Sequence, residues 1–366
     1  MSAVALGDAR PVLAALGEAR AATLALVEHL SQEELERVHT PLMSPLVWDL
    51  AHIAAYEDLW LSHRLARLPL LRPELAERYD AFETPRALRG EIALLDCGEA
   101  RGYMEAVRER ASAALQQHGT DDGVICEMVV RHELQHSETM RQTMAIAGLL
   151  PAGEGRLSAM AGSPGWATVA AGPFEMGAPA RGFAYDNERP RHTVSLESFQ
   201  IARQPVSNGD WLGFAEAGGY ERREWWSPEG WAWLREAQVG VDPAIAAGDP
   251  RAPACHVSWF EADAFARAKG ARLPREPEWE MAAAGGALAH AREVWEWTAS
   301  EFDGYPGFRA YPYREYSEVF FKAGYRVLRG GSWATSPRVA TLTFRNWDLP
   351  QRRQIFAGVR LARDAS

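Results

Sequence analysis

A change of texture near residue 150 constrains this chain more than any single motif in it. Before that point the sequence reads as helix. Val12 to Leu30 is rich in alanine and leucine and carries only Gly17 as an interruption. A second helix is expected to open at Ser44-Pro45, a capping residue followed by proline at the first helical position, and to run through Leu46, Trp48, Leu50, Ile53 and Leu59 to about Arg67. Leu68 to Leu95 is irregular, with prolines at 69, 73 and 85. A helical period resumes from Ala100 to Gln117. The last helix is expected to open at a Thr120-Asp121-Asp122 cap and to end at Gly148, with Pro151 beyond it. Four helices with moderate loops predict a bundle, an architecture that builds metal sites on facing helices. Leu150 to Gly165, rich in Gly, Ala, Ser and Pro, reads as a linker. After it, short strand-like runs (Trp166–Ala170, His192–Leu196, Tyr325–Leu328) alternate with Gly/Pro turns, and only Asn208–Ala217 and Trp259–Lys269 read as helices. The expected division is a helical bundle over 1–150, a linker over 151–165 and a loop-rich α+β domain over 166–366. Of the fourteen tryptophans, all but Trp48 and Trp60 lie beyond the linker, which supports two dissimilar cores.

Composition narrows the function classes. A length of 366 residues suits two domains better than one core. The net charge of -10 argues against a nucleic-acid or anionic-membrane surface. Cys97, Cys126 and Cys255 are odd in number and widely separated, form no C-x-x-C pattern and fit reduced thiols. Met1 to Arg20 mixes Asp, Glu and Arg among alanines, unlike a signal peptide. No apolar run approaches the length of a membrane span. The expectation is a cytoplasmic protein with no nucleic-acid or membrane partner.

The candidate chemistry lies in the histidines. His132 and His136, four apart on one expected helix, project from the same face, a spacing that suits two sites on one metal ion. Histidines so placed also cap, pair or face solvent, and that reading stays open. His52 sits in the apolar run Trp48-Asp49-Leu50-Ala51-His52-Ile53. A lone buried histidine is more often a satisfied core residue than a ligand, but in a bundle it can close a three-nitrogen face with the other two. Such a face leaves positions open for substrates and dioxygen and suits iron(II). The same pair reads His132-Glu133-Leu134-Gln135-His136, an H-E-x-x-H match that raises a zinc metalloprotease with Glu133 as general base. Asp49 and Glu138 are candidates to orient the imidazoles.

Longer motifs carry a family resemblance. Met43-Ser44-Pro45-Leu46-Val47-Trp48-Asp49-Leu50-Ala51-His52, His132-Glu133-Leu134-Gln135-His136-Ser137-Glu138-Thr139-Met140, Asp186-Asn187-Glu188-Arg189-Pro190, Val294-Trp295-Glu296-Trp297-Thr298, Arg329-Gly330-Gly331-Ser332-Trp333 and Phe344-Arg345-Asn346-Trp347-Asp348 occur in order. Arg352 to Arg360 follows. In these the chain resembles the iron(II)-dependent sulfoxide synthases of ergothioneine biosynthesis. The resemblance implies a four-helix DinB-like bundle followed by a loop-rich formylglycine-generating-enzyme-like (C-type-lectin-like) domain. It implies Fe(2+) on His52, His132 and His136, and hercynine held by Gln135, Asn346 and Trp347, where an aromatic face suits a quaternary ammonium. It also implies that Arg86 and Arg89 clamp the carboxylates of γ-glutamylcysteine, that Asp348 meets the donor's amino group, that Tyr313 delivers a proton and that Tyr316 lines the pocket. On the residues alone, Arg86 and Arg89 read as a solvated pair and the tyrosines as packing.

The chain departs from the family between Glu280 and Glu293, which runs almost directly into Val294-Trp295 where relatives have a longer glycine-rich stretch. That shortening leaves open a selenoneine synthase, which couples hercynine to a selenosugar in place of a thiol. Formylglycine generation is excluded, because it needs a pair of reactive cysteines in the second domain and only Cys255 lies there.

Overall fold

The computed structural model describes residues 8–120 and 123–365, which divide into two compact units, up to Glu154 and from Gly155. Asp121 and Asp122 of the expected helix cap lie outside the described residues. In the first unit the helices are α1 (Arg10–Val27), α2 (Gln32–Glu36), α3 (Leu46–Glu57), α4 (Cys97–His118) and α5 (Val124–Ala147). Helix α2 was not expected. It is one turn long, shorter than a periodicity can register, and is nucleated by a reciprocal cap between Ser31 and Glu34. The same device, Asp96 with Glu99, starts α4 three residues ahead of the expected point.

Helix α3 is the axis of this unit. Leu46 through Ala54 are all buried, and α3 packs on both α4 and α5. A helix apolar on every side belongs inside, and its neighbours supply Tyr79, Met104, Val107, Met140 and Met144 to the shared core. Ser44 does not cap α3. Its hydroxyl accepts from Arg89 Nη1 at 2.8 Å, and the helix starts without a side-chain cap. Beyond Glu57 the chain continues as a π-helix over Asp58–Leu65, so the expected long helix exists but changes its winding midway. Helix α5 is flanked by Gly123 and Gly148, whose φ values of 77° and 70° are left-handed conformations open to glycine.

A buried ion-pair network ties four helices together. Arg20 of α1 contacts Glu57 and Glu133 at 2.8 Å each, and Arg108 of α4 contacts the same two carboxylates at 2.6 and 3.1 Å. Both carboxylates are buried and each meets two guanidinium groups.

The second unit contains three small sheets. Strands β1 (Trp166–Val169), β4 (Phe199–Ala202) and β9 (Ala362–Asp364) form one in the order β1-β4-β9. Strands β2 (Gly172–Met176) and β3 (His192–Leu196) form a hairpin. Strands β5 (Trp295–Glu301), β6 (Arg326–Arg329), β7 (Asn346–Asp348) and β8 (Ala357–Gly358) form the third, in the order β7-β6-β5-β8 with only β5 and β8 parallel. Five helices accompany them: α6 (Asn208–Glu216), α7 (Pro228–Ala237), α8 (Pro243–Ala247), α9 (Trp259–Ala268) and α10 (Glu276–Ala284). Only α6 and α9 were expected. Of the others, α8 is little more than one turn, and α7 is as long as α9 and opens at a Ser227 cap ahead of Pro228, a start signal present in the sequence but missed. Helix α10 hides because Glu276, Glu278 and Glu280 occupy buried positions where a periodicity search expects apolar residues.

Those acids explain several of the quoted motifs. Glu276 meets Arg345 Nε at 2.6 Å and Arg329 at 3.1 Å, and Glu280 meets Arg329 at 2.5 Å. Glu296 of β5 pairs with Arg360 at 2.6 Å and accepts from Trp279 Nε1. Burial alone would raise the Glu276 carboxyl, but Arg345 and Arg329 beside it hold it below the usual carboxylate range. A Cβ at Gly330 would lie 2.2 Å from the Ala291 carbonyl oxygen, so the chain passes there only as glycine.

Candidate metal centre

Three imidazoles converge in the first unit. The ligand nitrogens of His52 on α3 and of His132 and His136 on α5 lie within 4.8 Å of one another, and the ring centroids are 4.5 to 4.9 Å apart. His52 Nε2 is 3.1 Å from His132 Nε2, a close approach of two ring nitrogens. Each ring is held from behind. His52 Nδ1 donates to the Tyr79 carbonyl at 2.6 Å, which leaves Nε2 as the free lone pair toward the cluster. His136 Nδ1 meets Asp49 Oδ1 at 2.9 Å, the carboxylate–histidine arrangement that orients metal ligands. His132 stacks on Tyr56 with centroids 3.6 Å apart, and His52 stacks on Trp48.

Burial, and then the neighbouring imidazoles, push His52 and His132 well below the usual histidine range. They are therefore neutral at physiological pH, the form that ligates. The donor set fits a divalent transition metal with room for further ligands.

The H-E-x-x-H reading fares differently. Glu133 is turned one residue around α5 from His132 and its carboxylate is paired with Arg20 and Arg108 in the buried network. A carboxylate so paired has no role as a base for a metal-bound water. Asp49 was legible as an orienting acid. The Tyr79 carbonyl was not, since a backbone acceptor leaves no mark on composition. Tyr56 carried a usable signal, lying one helical turn from His52 on α3.

The remaining expected residues fall into two groups. In the first unit, Gln135 is half-buried and lies three residues from His132, on the same side of α5. Arg86 is exposed at the start of a short 3₁₀ turn, Arg86–Leu88. Arg89 is buried: it donates to Ser44 Oγ, to the carbonyls of Thr84 and Ala81, and lies 3.6 Å over Trp48. Burial draws its guanidinium down to about 10. The side chain that packs on Trp48 thus also buttresses the ring behind His52.

In the second unit, Tyr313, Tyr316, Asn346, Trp347 and Asp348 are brought together. Tyr316 lies edge-on to Tyr313, with centroids 6.2 Å apart, and edge-on to Trp347 at 5.9 Å. Trp347 stacks on Phe302 at 4.1 Å. Asn346 Oδ1 accepts from the Trp347 N–H. Asp348 accepts from the Leu349 N–H and from Gln354 Nε2. No described helix is long and apolar enough to cross a membrane.

Comparison with known proteins gives the context for both units. Residues 15–140 match the DinB superfamily, and residues 158–293 and 291–365 match the Sulfatase-modifying factor enzyme 1-like domain. The two pieces of the second match meet where the sequence is expected to be shortened. A hercynine oxygenase of Mycolicibacterium smegmatis is 40% identical, over 95% of this chain and 97% of its own length. That of Mycobacterium tuberculosis is also 40% identical over the same shares. Ergothioneine biosynthesis protein 1 of Schizosaccharomyces pombe is 26% identical over 50% of this chain and 28% of its own. The M. smegmatis alignment runs over 421 positions, more than this chain has residues, so that relative carries segments missing here.

Proposed function

The chain belongs to the hercynine oxygenase family, and from that premise we propose that it is an iron(II)- and O2-dependent enzyme that joins hercynine to the thiol of γ-glutamylcysteine in ergothioneine biosynthesis. The observation that carries the metal part of this reading is the convergence of His52, His132 and His136, each ring held from behind. The overall reaction balances as hercynine, a thiol and O2 going to a hercynyl sulfoxide and water. A C–H and an S–H bond are lost, a C–S and an S–O bond form, and O2 takes up all four electrons.

Iron bound on the three imidazoles supplies the one-electron chemistry that O2 needs and open positions for substrate atoms. This chain's residues do the rest. Gln135, Asn346 and Trp347 hold hercynine, with the Trp347 ring attracting its trimethylammonium group by about 0.5–2 kcal/mol. Arg86, the exposed member of its pair, takes a donor carboxylate. Arg89 is already engaged with Ser44, Thr84 and Ala81, and its part is to fix the loop that presents Arg86. Asp348 meets the donor's amino group and Tyr316 lines the pocket. Tyr313 supplies a proton that favours coupling over simple oxidation of the thiol.

The test offers hercynine, O2 and iron(II) with γ-glutamylcysteine, cysteine or a 1-selenosugar in parallel and reads products by mass. A hercynyl sulfoxide from γ-glutamylcysteine supports the reading. Coupling only to the selenosugar moves the donor assignment, which the shortened 280–293 segment makes worth testing. In Tyr313→Phe the coupled product should fall several-fold relative to oxidised thiol, and an unchanged ratio would rule out this tyrosine.

A further inference from the structure

The motif Asp186-Asn187-Glu188-Arg189-Pro190 has no part in the chemistry above, yet its geometry gives it one. Asp186–Glu188 is a single 3₁₀ turn, buried at all three positions. Its residues reach toward two parts of the second unit, the 311–317 segment and the 343–345 stretch. The Asp186 carboxylate receives Ser317 Oγ on Oδ1 at 2.6 Å and the Tyr311 N–H on Oδ2 at 3.3 Å, so its two oxygens hold both ends of the segment 311–317. Its neighbour Asn187 accepts from Arg345 Nη1 at 2.7 Å through its carbonyl. Glu188 receives the Thr343 hydroxyl, two residues before Arg345. Just before the turn, Tyr185 stacks flat on Tyr316, with centroids 4.3 Å apart and planes 9° from parallel.

We propose that Asp186 is the positioning residue of the tyrosine loop, bracing the segment that carries Tyr313 and Tyr316 while the same turn braces the chain leading into Asn346-Trp347-Asp348. The importance of this for catalysis rests on the reading of Tyr313 above; the bracing itself does not. The regular structure here is two single 3₁₀ turns, Arg314–Tyr316, closed by the Ser317 N–H on the Arg314 carbonyl, and Glu318–Phe320. A loop built of single turns draws on side-chain anchors for its geometry.

The anchor is also proton-sensitive. Burial raises the Asp186 carboxyl to about 6, against the pull of Ser317, Tyr311 and the Asn187 N–H, and Glu318 on the same loop pushes it further up. Glu318 is itself 3.5 Å from Arg314, which limits that push. An acid whose value is raised in the closed loop and ordinary in an opened one favours closure most below the ordinary value. That contribution fades as pH rises through about 6.

The experiment is hydrogen exchange by mass spectrometry on the iron-loaded full chain, corrected for intrinsic exchange and read over peptides spanning 311–317. Asp186→Ala should speed exchange there at least tenfold, and Ser317→Ala should do so to a smaller degree. Asp186→Asn, which stays neutral and keeps one of the two acceptor oxygens, should restore protection only in part and remove the pH dependence between 5 and 7 that the wild type shows. Unchanged protection of 311–317 in both Asp186→Ala and Ser317→Ala would overturn the proposal, as would a pH dependence of that protection that persists in Asp186→Asn. Product ratios measured alongside separate the two readings. A loosened loop with coupling unchanged in Asp186→Ala and in Tyr313→Phe would retain the brace and discard Tyr313 as proton donor.

Discussion

His136 and Asp49 define what a single residue contributes to this site. His136→Ala removes one of three nitrogens, and the expected result is loss of iron binding with helical content intact, since the ring is only half-buried. Circular dichroism and metal analysis of the same sample check both halves. Asp49→Ala leaves the three nitrogens in place and removes the acceptor that fixes the His136 ring. Loss of such an orienting partner typically costs ~10–100-fold in metal affinity, and competition with a chelator of known affinity measures it. Wild-type affinity in Asp49→Ala would mean that packing alone orients His136. The sequence announced these residues unequally. His132 and His136 were legible from spacing, and His52 from its place in a helix that could face them. The Tyr79 carbonyl and the partners of Arg89 were not legible, because both depend on how the irregular 68–95 segment folds back.

At the scale of elements, the network of Arg20, Glu57, Arg108 and Glu133 sets the register of α1, α3, α4 and α5. Glu57 lies five residues beyond His52 and Glu133 one beyond His132, so the ions that lock the helices also fix the spacing of the ligands. Truncating one partner strands buried charge, which typically costs ~3–5 kcal/mol. Glu133→Ala should therefore lower the urea midpoint of the helical unit strongly. Glu133→Gln, which keeps part of the hydrogen bonding, should lose less. If Glu133 were instead a general base, its substitution would leave stability unchanged. In the first unit the long helices were the legible elements, and the one-turn α2 was not, although it is reciprocally capped. Helix α10 was not, since its buried face is acidic and makes sense only once Arg329 and Arg345 are known to reach it. The π-helical winding over Asp58–Leu65 also leaves no periodic signal distinguishable from a continued α-helix.

For the whole molecule, the chain divides into two compact units, one carrying the three converging histidines and the other the tyrosine and tryptophan cluster. The units part between Glu154 and Gly155, a point inside the Gly/Pro-rich stretch read as a linker. The motifs that carried the resemblance proved to be of two kinds. Some carry the candidate metal ligands, as His132 to His136 does. Others, such as the arginines of Arg329-Gly330-Gly331 and Arg360, hold buried acids and shape the fold. A motif search alone cannot separate the two, because both demand a fixed residue at a fixed place.

The central claim is that the three histidines hold an iron whose reaction with O2 consumes hercynine. An oxygen electrode tests it directly, on anaerobically reconstituted protein supplied with hercynine and γ-glutamylcysteine. O2 uptake should require iron and both substrates, be stoichiometric with hercynyl sulfoxide, and disappear in His52→Ala, His132→Ala and His136→Ala. Hercynine-dependent O2 uptake that survives in those variants, or none in the iron-loaded wild type with any donor, would contradict it.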